Sequence, residues 1–171
     1  MRVRTRVLIG LMALGAITSS AYALGFRYNH TDSLPHGRGI WLMDDGPVVR
    51  GSVVSACLPK PLLPLERNYI GPGFCPSWAE PVLKLAAAME GDVVWVMPDG
   101  IWVNGARLPD SKPLHADPSG RPLRAYPQGI YRVEAGQVWL VNPAPLSYDA
   151  RYFGPLPLTS VRGSMSKIWT W

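Results

Sequence analysis

The sequence predicts an all-β domain, a sandwich or barrel, behind a single apolar N-terminal helix. Eighteen prolines and seventeen glycines cut the chain into short pieces, which leaves no room for a long amphipathic helix beyond the N terminus. The pieces are rich in β-branched and aromatic residues and are separated by turn signals. One uncharged run, residues 7–26, stands apart from this pattern. A length of 171 residues suits one well-cored domain plus an appendage.

The appendage comes first. Arg2, Arg4 and Arg6 lie in residues 1–6, ahead of the uncharged run. As a helix that run would be about 30 Å long, enough to cross the hydrocarbon core. The arginines predict a cytoplasmic start and an exported remainder, residues 27–171. Ala21-Tyr22-Ala23 is also a small-x-small site of the kind removed with a secretory signal. Retained anchor and cleaved signal both export the rest of the chain.

Strands are expected at Gly39 to Leu42, Ser52 to Leu58 and Val82 to Ala87. The segment "DVVWVMPDGIWVNGARL" offers two more, Asp92 to Met97 and Ile101 to Val103, with turns at Pro98-Asp99-Gly100 and Asn104-Gly105. Ile130 to Val133, Gln137 to Val141 and Val161 to Trp169 complete the set. "LKLAAAME" has the propensity for a helical turn, but Pro81 before it and Gly91 after it leave little length. Residues 109–129 hold five prolines and read as a long surface excursion, either a partner-contact loop or an idle insertion.

The formal charge of +5 is mostly topology: without the leader arginines, fourteen basic residues face twelve acidic ones. A nucleic-acid footprint therefore has little support. Cys57 and Cys75 enclose a proline-rich loop. In an oxidising compartment such a pair tends to bridge, the other reading being two buried thiols. No metal or redox pair of CxxC type is present.

Ser33, in "NHTDSLPHG", would need a base to act as a nucleophile. His30 and His36 lie within three residues of it, where returning a ring to the hydroxyl is awkward, and His115 sits in the long loop. Only four lysines exist, and Lys60 and Lys112 precede prolines. Lys84 lies in the otherwise apolar run "EPVLKLAAAMEGDVV", where desolvation would lower its pKa and free a neutral amine. Taken alone, that run could equally place the lysine on the polar face of an alternating strand. Asp149 and Arg151, as bare sequence, read as a surface ion pair.

The motifs "TDSLPHG", "EPVLKLAAAMEGDVV…IWVNG" and "SYDARYFGPLP" resemble, in order and spacing, those of the serine-lysine signal peptidases, and most closely the TraF-type conjugative-transfer peptidases. The resemblance implies the β-fold shared by signal peptidases and LexA-like proteins. It makes Ser33 the nucleophile, Lys84 the general base and Thr31 an oxyanion-hole hydroxyl. It makes Ser147 the group that orients Lys84, with Asp149 and Arg151 fixing the last box and the aspartate itself needed for activity. It implies a bacterial inner-membrane enzyme with a periplasmic catalytic domain and no cofactor or metal. Its substrate would be a prepilin or other signal-peptide-bearing protein, its surroundings the conjugation or type IV secretion apparatus, and nucleic acid would not be a partner.

Three departures separate this chain from ordinary leader peptidases. The serine box continues "PHGRGIW", Leu85 stands where those enzymes carry an arginine, and "NPAPL" replaces a Gly-Asp-Asn run. Two rivals remain. A LexA-like self-cleaving repressor sits poorly with the leader and the lack of a DNA-binding segment, and a non-catalytic envelope scaffold would tolerate Ser33→Ala.

Overall fold

The computed structural model describes residues 2–35, 37–62 and 69–171. Helix α1 spans Arg2–Ala23 and is exposed along almost its whole length. It is long and apolar enough, by length and composition, to cross a membrane. Its bounds differ from the expected 7–26. Arginine is a good helix former, so the basic start joins the helix. At the other end Gly25, at φ +92°, turns the chain out and its N–H caps the carbonyl of Tyr22 at 3.0 Å. Phe26, expected at the end of the apolar segment, instead opens strand β1 (Phe26–Asn29).

Among the described residues ten further strands follow: β2 (Gly39–Asp44), β3 (Val53–Ala56), β4 (Val82–Met89), β5 (Val93–Met97), β6 (Gly100–Val103), β7 (Ala106–Arg107), β8 (Gly129–Arg132), β9 (Gln137–Leu140), β10 (Leu156–Pro157) and β11 (Val161–Thr170). They form a seven-stranded sheet in the order β1-β2-β11-β3-β4-β9-β10 and a four-stranded sheet in the order β7-β6-β5-β8, with antiparallel pairing throughout. Val94, Val96, Ile101 and Val103 of the small sheet share one core with Val54, Ala86, Ala88, Val138 and Leu140 of the large one. Asn104 and Gly105, at φ +50° and +82°, make the two-residue hairpin turn that their identities predict.

The segment weighed as a helical turn is β4. Pairing with β3 on one side and β9 on the other outweighs the helix propensity of its alanines. Along β4 the side chains alternate, so Lys84 falls on the same buried face as Ala86 and Ala88. The polar-face reading of Lys84 is thereby excluded.

Residues 109–129 are tied to the fold by buried side chains. The hydroxyl of Ser111, fully buried, accepts from Ile101 N (2.9 Å) and donates to Leu108 O (2.7 Å). Asp117, also buried, accepts from Tyr69 and, at 2.6 Å, from the Arg121 guanidinium. These bonds hold Asp117's carboxyl down at about 2, the tyrosine hydroxyl contributing most.

Cys57 and Cys75 form a disulfide with Cα atoms 5.5 Å apart, and Cys75 is buried. Closing a loop of this size restricts the unfolded chain by about 3 kcal/mol. Reduction, or Cys57→Ser, is therefore expected to lower the melting temperature of the purified protein, read by circular dichroism. An unchanged melting curve would mean that the bridge contributes nothing.

Candidate active site

Ser33 sits on a tight turn following β1, pinned from both ends by one side chain. Asn29, almost wholly buried, donates through Nδ2 to the carbonyls of Thr31 (2.8 Å) and Gly37 (2.7 Å). Its Oδ1 accepts from the Thr31 hydroxyl at 3.0 Å. Leu34 anchors the same turn in a small core with Trp41 and Met165. Ser33 Oγ lies 2.9 Å from Thr31 Oγ1. Because the single hydroxyl hydrogen of Thr31 goes to Asn29, Ser33 is the donor in that pair.

Lys84 Nζ donates to Ser147 Oγ at 2.8 Å, with both residues buried. Desolvation pulls the amine down from its ordinary value to about 8. The nearby charge of Asp149 pushes the other way, and that of Arg151 adds to the lowering.

The two halves are joined by a residue that the sequence reading passed over. Asn142 Nδ2 donates to Ser33 Oγ and to Leu83 O, both at 3.2 Å, while its Oδ1 accepts from Leu85 N at 2.9 Å. The amide thus occupies the edge of β4 on both sides of Lys84 and touches the serine as well. Beneath it, Asp149 accepts from Asn142 N at 3.0 Å, and Arg151 Nη2 donates to Asn142 O at 2.7 Å. Asp149 caps the short helix α2 (Ala150–Phe153). Its carboxylate takes Arg151 through Nε at 2.8 Å and Nη2 at 3.1 Å, with neither side chain exposed at all. The pair read as a surface feature is buried because the guanidinium also ties the carbonyl of Asp110 at 2.9 Å.

All these groups face or underlie a cleft of about 620 Å³ whose lining includes Thr31, Ser33, Lys84 and Ser147. Leu83, Leu114, Leu123 and Leu146 give it apolar walls. Among the described residues no hydrogen bond joins Ser33 to Lys84, and none joins Ser33 to His30 or His115. His36, the remaining histidine near the serine, lies outside the described residues.

The family model for signal peptidase, peptidase S26, matches residues 3–171. The chain belongs to this family. It is a serine peptidase of the signal-peptidase type. A plasmid transfer protein TraF from Escherichia coli is 34% identical over 99% of this chain and 97% of its own length. A probable conjugal transfer protein TraF from Sinorhizobium fredii (strain NBRC 101917 / NGR234) is 34% identical over 94% of this chain and 85% of its own. The crystal structure of a signal peptidase I from Enterococcus faecalis V583 superposes with a TM-score of 0.41 at 20% identity, over 72% of this chain and 100% of that one, too loosely to carry weight.

In this S26 peptidase the geometry supplies a hydroxyl with a fixed hydrogen-bond partner, an amine whose pKa burial lowers to about 8, and a partly apolar cleft that both groups line. Asn29 and Asn142 carried no signal in the sequence beyond being asparagines beside turns. Their roles depend on bonds to backbone and side chains brought in by the fold.

Proposed function

We propose that this peptidase is a membrane-anchored enzyme facing the periplasm, and that it processes a pilin or other exported precursor during conjugative transfer through a Ser33–Lys84 dyad. The observation that carries the dyad is the buried Lys84 amine, lowered to about 8 and held by Ser147 on the strand that Asn142 bridges to Ser33. The conjugative setting rests on the plasmid and conjugal transfer names of the relatives, and the anchor rests on α1.

An extended precursor enters the cleft and presents its scissile carbonyl to Ser33. Neutral Lys84 swings from Ser147 to take the hydroxyl proton as Oγ attacks, forming the tetrahedral intermediate. Its oxyanion is met by the backbone N–H of Ser33 and by the Thr31 hydroxyl, which re-aims from Asn29. The C–N bond breaks as protonated Lys84 gives its proton to the leaving amine. An acyl-enzyme on Ser33 remains, and Lys84 is neutral again. Water resolves it to a linear product, or the precursor's own N-terminal amine resolves it to a cyclic one.

Co-expression with a neighbouring pilin precursor, followed by mass measurement, tests this reading. The precursor should be shortened by the wild type and left whole by Ser33→Ala, and a ring would weigh one water less than the linear mature peptide. Processing that survives Ser33→Ala would leave a scaffold as the better reading.

The rate on a saturating peptide should rise with pH and level off above about 8, because only the neutral amine accepts the proton. Below that point it should fall about tenfold per pH unit. A flat profile between about pH 6 and about pH 10 would exclude Lys84 as the base.

Asn142→Asp gives a narrower check. The change keeps an acceptor for Leu85 N but removes both donations of Nδ2, and it sets a carboxylate beside the amine. Lys84 should hold its proton more tightly, so the inflection should move up in pH while the plateau rate drops about tenfold or more. An unchanged rate and inflection would make Asn142 a bystander.

A further inference from the structure

Residues 70–79, "IGPGFCPSWA", contain no charged side chain, yet Pro72, Phe74, Pro76 and Trp78 among them are exposed. The segment is a small hairpin. Pro72 bridges Ala79, Gly73 N donates to Trp78 O at 3.0 Å, and Cys75 N donates to Ala79 O at 3.0 Å. Only glycine fits at Gly73, where a Cβ would lie 2.4 Å from Glu80 Cα. The disulfide from Cys75 to Cys57 fastens the hairpin to the large sheet.

Two large aromatic side chains stand out from this rigid base, Phe74 at 76% exposure and Trp78 at 78%. Trp78 holds a φ of +64°, a left-handed conformation that bulky residues rarely adopt. The fold therefore accepts both strain and a bare indole at one point, which buys nothing within the chain itself.

What lies beside the hairpin identifies its partner. The Phe74 ring is 4.6 Å, centroid to centroid, from the ring of Tyr22 in the last turn of α1. Exposed Leu24 and Phe26 follow immediately. Arg27 folds back over the Tyr22 ring at 3.7 Å and donates to the Tyr22 carbonyl. If α1 crosses the bilayer, this end of it lies at the outer headgroup layer. There tyrosine and tryptophan are favoured because one part of each ring is apolar and the other wet.

We infer that the disulfide-held hairpin is a second membrane contact, in which Phe74 and Trp78 seat in the interfacial layer of the lipid bilayer beside the end of α1. This rests on the anchor reading of α1. The hairpin neck is closed by Glu80, whose N–H donates to Gly71 O at 2.8 Å and whose carboxylate accepts from Gly71 N at 3.0 Å. Pro81 then leads directly into β4, which carries Lys84. Seating the hairpin fixes the height and tilt of the cleft over the membrane, so that a precursor still held by its own apolar segment meets Ser33 in register.

The full-length chain, reconstituted into phosphatidylethanolamine–phosphatidylglycerol vesicles, tests the contact. Tryptophan emission is compared between wild type and Trp78→Phe, with lipids brominated either high or deep in the acyl chain. Retention after an alkaline carbonate wash is measured on the same vesicles. The share of emission due to Trp78 should be lost with the shallow quencher and largely kept with the deep one. Phe74→Ser/Trp78→Ser should process a membrane-embedded precursor severalfold more slowly while cleaving a water-soluble peptide at the wild-type rate. A chain that survives the wash but whose Trp78 emission is untouched by either quencher overturns the hairpin contact and leaves the anchor standing. A chain removed by the wash overturns the anchor, and the contact with it.

Discussion

Lys84→Ala, Lys84→Arg and Lys84→Met are each expected to give a folded protein that leaves its precursor uncut. Alanine and methionine have no amine, and the guanidinium of arginine does not surrender its proton in a protein. The loss should therefore be of the whole proton-transfer contribution, on the order of 100-fold to 10,000-fold. Methionine is the variant that separates catalysis from folding. In the native state the amine titrates near 8 instead of 10.5. Below both values the buried charge penalises folding, by about 3 kcal/mol at about 1.4 kcal/mol per unit. That penalty lifts as pH rises through the window between them. Lys84→Met removes it and forfeits one hydrogen bond to Ser147, so at neutral pH its melting temperature should equal or exceed that of the wild type. Full processing by Lys84→Arg would show that another group takes the serine proton.

Much of the architecture could be read from local pattern. Every strand expected from composition and turns has a counterpart, because alternation and turn residues act over a few positions: Val93–Met97 and Gly100–Val103 flank the turn at Pro98-Asp99. The strands that escaped, β7 and β10, are two residues long and exist only because a neighbour pairs with them. Strand β1 was hidden because Phe26 extends an apolar run that ends, structurally, at Gly25.

Within the cleft, legibility divides along the same line. Lys84 is conspicuous as the one charge in an apolar run, and the period of a strand decides its face. Ser33, Ser147, Asp149 and Arg151 came from motif resemblance. Asn142 is a different case, since its bonds reach partners 57, 59 and 109 positions away. No local pattern encodes an amide that stands in for a missing strand neighbour. The depth of the Asp149–Arg151 pair is likewise a product of packing, supplied by the carbonyl of Asp110 from a loop far along the chain.

That depth changes what substitution of Asp149 should do. Arg151 has no exposed surface and directs three guanidinium nitrogens at Asp149, Asn142 O and Asp110 O. Deleting the carboxylate leaves a buried cation short of its partner, which costs about 3 to 5 kcal/mol. Asp149→Ala should therefore melt much earlier than the wild type as well as fail to process. Asp149→Asn keeps the shape and one acceptor, and so isolates the role of the charge. The charge of Asp149 raises the pKa of Lys84 while that of Arg151 lowers it, so with only the arginine left the amine should titrate below its present value of about 8. The pH–rate inflection of Asp149→Asn should move to lower pH. Its plateau rate should nevertheless fall further than that of Ser147→Ala, which loses a single neutral hydrogen bond and about two- to tenfold in rate. A neutral amine would be more abundant yet worse aimed, because Asn142, resting on Asp149 through its backbone N–H, would no longer hold β4 and Ser33 in register. A purely structural pair predicts something else: a lower melting temperature with the inflection where it was. If Asp149→Asn cleaves at the wild-type rate with an unshifted profile, the buried pair is scaffold and takes no part in aiming the dyad.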